Sequence, residues 1–339
     1  MVSVSVYGAG QLGHGVARIL GERGRHSVLG PFGRAERSTA LTTGADLVLI
    51  ATTTRLRDVV DDVRLAVACG SNVLVSAEEC ANPWLVDEDL ADTVHAEALT
   101  AGVTVVGAGL NPGLVFDALV LTVLGAAPDD VDVTVRRTVD ISGFGPAVLN
   151  RIGVGISPEE FARAVASGEV LGHAGFPQSR SVVGRAIGRP VGSVEADLLP
   201  VVTDDPIVLP DGRTIEAGLT AGVHQTYRAL DQGDAWFTAQ FVGHVAPGSA
   251  GLQLADTITL HRGAEIVQEV RATPCFPSQS GSQHVLANSV DRVVAAPPGW
   301  LTVADLPPAS GQGRGPGPVP EWKTNSPWSA GSSTVGRSP

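Results

Sequence analysis

Apolar residues recur along this chain with two periods, and the changes of period mark out its elements. Val2, Val4 and Val6 alternate with serine up to Tyr7, as in a strand. Val16, Ala17, Ile19 and Leu20 then follow at helical spacing. His26–Gly30 reads as a second strand and Asp46–Thr54 as a buried one. A helix over Leu56–Cys69, a short strand over Asn72–Ser76, a helix over Trp84–Ala101 and a strand over Val103–Gly107 come next. Near-continuous Val, Ile and Leu strands between helices predict a parallel sheet covered on both faces. An apolar helix, Leu114–Leu124, follows the turn Asn111-Pro112-Gly113.

Beyond it the pattern opens out. Val131–Asp140 (VDVTVRRTVD) has the rhythm of a strand with one wet face. Pro158-Glu159-Glu160-Phe161 opens a helix that Ser157 caps, with Glu160 completing a capping box. Strands over Val194–Leu199, Ala235–Val245 and Asp256–Arg262 predict a second, α+β domain on a mixed or antiparallel sheet. The open face of such a sheet needs cover, and a symmetric partner is the usual answer, so a homodimer is expected. From Ala309 the chain is rich in Gly, Pro and Ser with almost no apolar clustering, and 309–339 is expected to be a disordered tail. Trp322 and Trp328 are its two groups that could dock on a partner. The chain shows no internal repeat.

The first strand breaks into Gly8-Ala9-Gly10-Gln11-Leu12-Gly13 and then into helix, the order a dinucleotide needs. The first glycine permits the tight turn, the second lets a pyrophosphate approach the backbone, and the third lets helix pack on strand. In a chain with 41 glycines the motif alone is weak, and its place between strand and helix gives it weight. The expected fold of 1–112 is therefore a doubly wound, Rossmann-type domain that binds NAD(P). An NAD site usually sets a carboxylate at the end of the second strand. None stands there; Arg34, Arg37 and Ser38 follow instead and could hold a 2′-phosphate, which favours NADP, with NAD possible if the loop is merely solvated.

Composition narrows the classes. A length of 339 residues suits two domains, and a net charge of −12 argues against nucleic acid as a partner. No apolar run reaches the 18 or more residues of a membrane span. The chain starts directly in a strand, so no secretory leader is expected. Cys69, Cys80 and Cys275 lack CxxC spacing, and His224, His244 and His284 lack metal-ligand spacing, so no disulfide frame and no metal is expected. A cytoplasmic protein is the expectation.

Candidate chemistry gathers at the carboxyl ends of the first-domain strands. Thr52, Thr53 and Thr54 end one strand, and Glu78 and Glu79 follow another. A partly buried carboxylate there could bind an ammonium or take a proton from an amine, or the pair could simply start a helix. Asn111, Pro112 and Gly113 end a third strand, either presenting backbone to a nicotinamide or acting as plain turn chemistry. His173 stands in the loop Gly172–Pro177, as a catalyst or as an ordinary hydrogen-bonding histidine. No GxSxG is present, which leaves nucleophilic hydrolysis without support.

Taken together, GAGQLG, ATTT, VSAEE, GAGLNPG, LGHAGFPQS and NSVDRVVAAPPGWLTVADL (288–306) resemble the dihydrodipicolinate-reductase-like proteins. That group includes the 2,4-diaminopentanoate dehydrogenases and native amine dehydrogenases, and the resemblance covers roughly 1–308. It implies an N-terminal NAD(P) domain, a substrate and dimerisation domain over 113–287, and a segment, 288–308, that returns to the first domain. It further implies that Gly8, Gly10, Gly13 and Thr52–Thr54 hold cofactor, and that Glu79 or Glu78 handles ammonia or an iminium. Asn111 to Gly113 would face the reacting centre. Homoserine dehydrogenases, more distant, carry a reactive lysine that aligns best with Glu79, so Glu79 is preferred. The resulting function is an NAD(P)-dependent oxidoreductase of the C–N bond of a small amine or diamino acid. An imine or cyclic-imine reductase and a non-catalytic NADP-binding regulator are the alternatives.

Overall fold

Leu47 and Leu49 point to one side of their strand and Val48 and Ile50 to the other, and the two pairs belong to different packed layers. This alternation is how a strand buried on both faces looks in a doubly covered sheet. The structure, a computed structural model, describes residues 1–189, 192–308 and 310–311. The expected tail 309–339, with Trp322 and Trp328, lies almost wholly outside the described residues.

The first part runs β1 (Val2–Tyr7), α1 (Gln11–Arg23), β2 (His26–Phe32), α2 (Arg37–Leu41), β3 (Leu47–Ile50), α3 (Val60–Ala68), β4 (Asn72–Val75), α4 (Glu88–Ala101) and β5 (Thr104–Gly107). The second follows as α5 (Ala118–Leu124), β6 (Asp132–Asp140), α6 (Pro146–Ile152), α7 (Pro158–Ser167), α8 (Phe176–Ile187), β7 (Val194–Val202), a small hairpin β8 (Ile207–Val208) and β9 (Thr214–Ile215), β10 (Thr220–Asp231), β11 (Asp234–His244), β12 (Ala255–Arg262) and β13 (Glu265–Ala272). The chain then comes back through α9 (Ser278–Val294) and β14 (Gly299–Leu301).

The first sheet has the order β14-β5-β4-β3-β1-β2 and is parallel throughout. Its strand order reverses between β1 and β3, which is where such sheets open a crevice for ligands. This is the expected Rossmann-type domain. Gln283 of α9 fills the space beside Gly15 and donates to the Gln11 carbonyl at 3.2 Å, so the returning helix braces the glycine turn. The second sheet has the order β13-β12-β6-β11-β10-β7 and is mixed, with β6 and β11 parallel. One of its faces carries Val133, Val135, Phe237, Ala239, Ile258 and Leu260 into a core with Phe116 and Phe176.

Several elements differ from the sequence pattern. The helix expected from Leu114 starts at Ala118, because Asp117 accepts the Ala118 N–H and caps it there. The stretch expected as one helix over Leu56–Cys69 is a 3-10 turn, Leu56–Asp58, followed by α3. Likewise Pro83–Leu85 forms a separate turn, and α4 begins after Asp87, whose side chain caps it at Leu90 N–H. Strands β10 and β13 were not expected. In β10 the inward position between Val223 and Tyr227 is Gln225, which interrupts the apolar rhythm, while β13 is an edge strand with no fully buried residue.

Candidate active site

The glycine turn has the geometry its spacing predicts. Gly8 has φ +129°, and a Cβ there would lie 2.3 Å from the Ala51 carbonyl oxygen. A Cβ on Gly13 would lie 1.8 Å from the Gly8 oxygen. Gly10 is different: nothing lies within 4 Å of where its Cβ would be, and as N-cap of α1 it leaves the first-turn N–H groups without a side-chain acceptor. Two glycines are thus required by packing, and the third keeps space open before a helix N-terminus, where a phosphate is favoured.

A cleft of about 280 Å³ runs from this turn past Gly33 and Arg34 to Ala51 and Thr52. The Thr52 Oγ1 is buried there without a hydrogen-bond partner among the described residues, and Thr53 and Thr54 follow it half-buried. Arg34 is exposed on the cleft wall. Arg37 is turned to Asp62 as an ion pair, and Ser38 is exposed beside it. The nearby Glu36 carboxylate accepts the Gly33 N–H at 3.0 Å. These residues fit a dinucleotide: an open helix start for the pyrophosphate and a guanidinium at the far end.

The mixed sheet supplies the floor of a second space. A single register row across four strands carries Asp256, Arg137, Phe241 and Gln225. Arg137, 1% exposed, donates to both Asp256 oxygens at 2.7 Å, to the Phe276 carbonyl at 2.6 Å and to Ser278 Oγ at 3.2 Å. The Asn111 amide, in the orientation that satisfies both its ends, accepts from Arg137 Nε at 3.2 Å and donates to the Leu110 carbonyl at 2.6 Å. The guanidinium therefore ties together the two places where the chain crosses between the sheets. Glu78, Asn111, Arg137, Arg151 and His173 all line this cavity of about 160 Å³. Glu78 also lines an adjoining cleft of about 390 Å³ that reaches Gln11 and Leu12 of the glycine turn. A wider groove between α3 and α4, about 900 Å³, lies apart from all of these residues.

The two glutamates part company. The Glu79 carboxylate accepts the Leu56 N–H at 2.7 Å and so closes the turn after the Thr52–Thr54 segment, rather than lining the cavity as preferred from sequence. The reason is local: Glu78 and Glu79 open a 3-10 turn, Glu78–Ala81, and neighbours on so tight a turn point in different directions. Glu78 faces the cavity. Burial holds its carboxyl above the ordinary value of 4.5, against the opposing pull of Arg151 and of a Thr54 hydrogen bond.

His173 is fixed by its backbone and its ring. Its N–H donates to Gln225 Oε1 at 2.7 Å, and its carbonyl accepts from Gln225 Nε2 at 3.1 Å. The ring stacks on Phe116 and Phe241 and meets Phe176 edge-on at 4.8 Å. Burial, with Arg137 and Arg151 nearby, depresses its pKa to about 3, so it stays neutral across the physiological range.

The C-terminal domain model of 2,4-diaminopentanoate dehydrogenase matches residues 114–312. A protein named 2,4-diaminopentanoate dehydrogenase from Acetoanaerobium sticklandii is 30% identical over 332 residues, which cover 90% of this chain and 93% of that protein. The chain belongs to the 2,4-diaminopentanoate dehydrogenase family. The solved structure of an amine dehydrogenase from Mycobacterium smegmatis shares the fold, with a TM-score of 0.74 at 21% identity over 92% of this chain and 98% of that one.

This member of the diaminopentanoate dehydrogenase family builds its site with residues that the sequence reading passes over. Arg137 is one, and the signal was its parity: it continues the inward series Val131, Val133, Val135, whereas Arg136 points out. Asp117 is another. It is fully buried and accepts from Gly113 N–H at 2.7 Å, Ala118 N–H at 2.9 Å and Ser179 Oγ at 3.3 Å. It thereby fastens the Asn111–Gly113 turn to α8. Burial pushes its pKa up to about 6. Gly175, with φ +99°, packs directly on Pro112, where a Cβ would come within 2.6 Å of the ring.

Proposed function

We propose that this protein is an NAD(P)-dependent amine dehydrogenase that interconverts a small amine or diamino acid with the corresponding carbonyl compound and ammonia. The observation that carries the reading is that one carboxylate, Glu78, belongs both to the cleft leading from the glycine turn and to the cavity of Asn111 and His173. Family membership and the names of the relatives support the reaction class.

Gly8 to Gly13 and Thr52 to Thr54 would hold the dinucleotide, and Arg34 with Ser38 would meet a 2′-phosphate, so NADP is the preferred form. When bound, the nicotinamide supplies or accepts the hydride at the substrate carbon. Glu78 manages protons at nitrogen and oxygen. In the amination direction its carboxylate takes a proton from ammonium, and the ammonia set free adds to the carbonyl. The new alkoxide gains a proton from the added nitrogen to become a hydroxyl. Glu78 gives its proton to that hydroxyl, which leaves as water and leaves an iminium. Burial raises its carboxyl above the ordinary value, which favours holding and returning a proton over staying ionised. Neutral His173 and the Asn111 amide orient the substrate without adding charge. Phe144 and Val148, from α6 and the loop before it, line both spaces and limit water there. We further propose a cytoplasmic homodimer joined across the open face of the mixed sheet, where Thr134, Arg136, Thr138 and Thr257 line a shallow groove. Light scattering at micromolar concentration tests that, and a monomer refutes it.

The activity test is oxidation of NADPH and NADH with small ketones and keto acids, with and without ammonium. Turnover that depends on ammonium supports the proposal. Turnover of a preformed cyclic imine without ammonium would instead make the enzyme an imine reductase, and tight cofactor binding without any turnover would leave a regulator.

A further inference from the structure

Along the inner face of β10 the core residues Ala221, Val223, Tyr227 and Ala229 are interrupted by Gln225. A polar side chain in such a series needs a partner, and this one spends both ends on a single residue. Its Oε1 accepts the His173 N–H at 2.7 Å, and its Nε2 donates to the His173 carbonyl at 3.1 Å. The amide pairs with the main chain of His173 as a neighbouring strand would. The fit leaves no slack, since a Cβ on Gly172 would come within 2.6 Å of Gln225 Oε1. Phe241, directly across from Gln225 on β11, stacks on the His173 ring with centroids 5.5 Å apart, and Phe116 stacks on it at 5.9 Å. Two cross-strand neighbours therefore hold one histidine, Gln225 by its main chain and Phe241 by its ring.

The side chain this clamp serves is the imidazole. Gly172, Ala174 and Gly175 flank His173 and offer no functional group. The ring nitrogens of His173 have no hydrogen-bond partner among the described residues, although the ring lines the cavity that Glu78 and Asn111 share. A neutral imidazole has one N–H to donate, and leaving it unmatched costs free energy unless water or a ligand meets it. We propose that Gln225 is a positioning residue that sets the His173 ring so that its N–H donates to the substrate oxygen. The inference rests on the function proposed above. The bond strengthens as ammonia adds and the carbonyl becomes an alkoxide, so it lowers the barrier more than it tightens ketone binding. Glu78 then moves the protons while His173 holds the oxygen and keeps its own.

The test follows turnover of 2-pentanone with NADPH and ammonium in wild type, Gln225→Met, Gln225→Glu, His173→Phe and the double variant Gln225→Met with His173→Phe. Gln225→Met keeps the length but loses both bonds, and the misplaced ring should lower kcat by about 10- to 100-fold while KM and NADPH affinity hold. Gln225→Glu keeps an acceptor for the His173 N–H and should fall between that variant and wild type. His173→Phe keeps a stacked ring without its nitrogens and should lower kcat by about 10²–10³. In that background Gln225→Met should cost nothing further. Losses that multiply in the double variant, or a Gln225→Met that changes only the melting temperature, make Gln225 a loop fastener and overturn the inference. Nuclear magnetic resonance of the histidine rings, with His173→Phe supplying the assignment, reads the clamp without turnover. The wild-type His173 signal should stay fixed from about pH 8 to pH 5, because the ring titrates near 3, and in Gln225→Met it should begin to titrate toward the ordinary 6.5. A His173 signal that behaves alike in both overturns the clamp. If the signal responds as expected but no form turns over the ketone, the clamp stands and the amine dehydrogenase reading falls. Ammonium-dependent turnover with the same kcat in wild type and Gln225→Met keeps that reading and overturns the inference.

Discussion

Arg137 and Asp256 sit opposite each other on β6 and β12, and both Asp256 oxygens accept from one guanidinium nitrogen at 2.7 Å in a place that water does not reach. The Phe276 N–H adds a third bond to the same carboxylate at 2.7 Å. The pair holds the start of α9 against the mixed sheet and, through Asn111, holds the end of the parallel one. Breaking it from one side leaves a buried charge without a partner. Arg137→Met should therefore lower unfolding free energy by about 3–5 kcal/mol, measured by denaturant titration, whereas the double change Arg137→Met with Asp256→Leu should recover most of that loss. A single variant within 1 kcal/mol of wild type would show that water reaches the pair.

Glu78 lines the cavity and carries the proposed proton transfer, while Glu79 closes a turn. Glu78→Gln keeps the shape but removes the proton carrier, and should slow turnover by about 10²–10⁴ with dinucleotide affinity intact. Glu79→Gln keeps an oxygen for the Leu56 N–H and should slow turnover only a few-fold. In wild type the acid limb of the rate profile should lie above pH 4.5, because burial raises the Glu78 pKa, and it should vanish in Glu78→Gln. A Glu79 variant that is the more damaged of the two would reverse the assignment.

Arg34 reads the 2′-phosphate in this proposal, while Arg37 is engaged with Asp62. Arg34→Ala should weaken NADPH binding by roughly 1.5–3 kcal/mol and leave NADH almost unchanged. Fluorescence titration with both cofactors decides it; equal weakening would remove the case for NADP.

Asp117 makes stability depend on pH in a defined direction. Its folded pKa, pushed up to about 6, is above the ordinary 3.8, so the neutral form is the one that folding favours. That contribution is complete below about pH 4 and is lost as pH rises through about 6, a span of roughly 3 kcal/mol. Asp117→Asn lacks this dependence and also loses an acceptor for Gly113 or Ala118. The gap in melting temperature between wild type and variant should widen from pH 7.5 to pH 4.5. A constant gap would mean that Asp117 is ionised in the fold throughout that range.

The linear pattern was enough for the parallel half of the molecule. Its strands are continuous apolar runs, its glycines stand where close backbone approach demands them, and both signals are local, so Gly8, Gly10 and Gly13 could be given their places before any fold was known. The same holds for the carboxyl ends at Thr52–Thr54 and Asn111–Gly113, since every strand of a parallel sheet ends at one edge. Parity along β6 even held the clue to Arg137, though not the identity of its partner. That partner, Asp256, is 119 residues away, and only the register of β12 against β6 brings it opposite. Likewise, nothing in Glu78-Glu79 says which carboxylate faces the cavity. Two adjacent residues share a composition, a propensity and a place in the chain, and they differ only in direction. That direction depends on where the Leu56 N–H lies in space, 23 residues back along the chain.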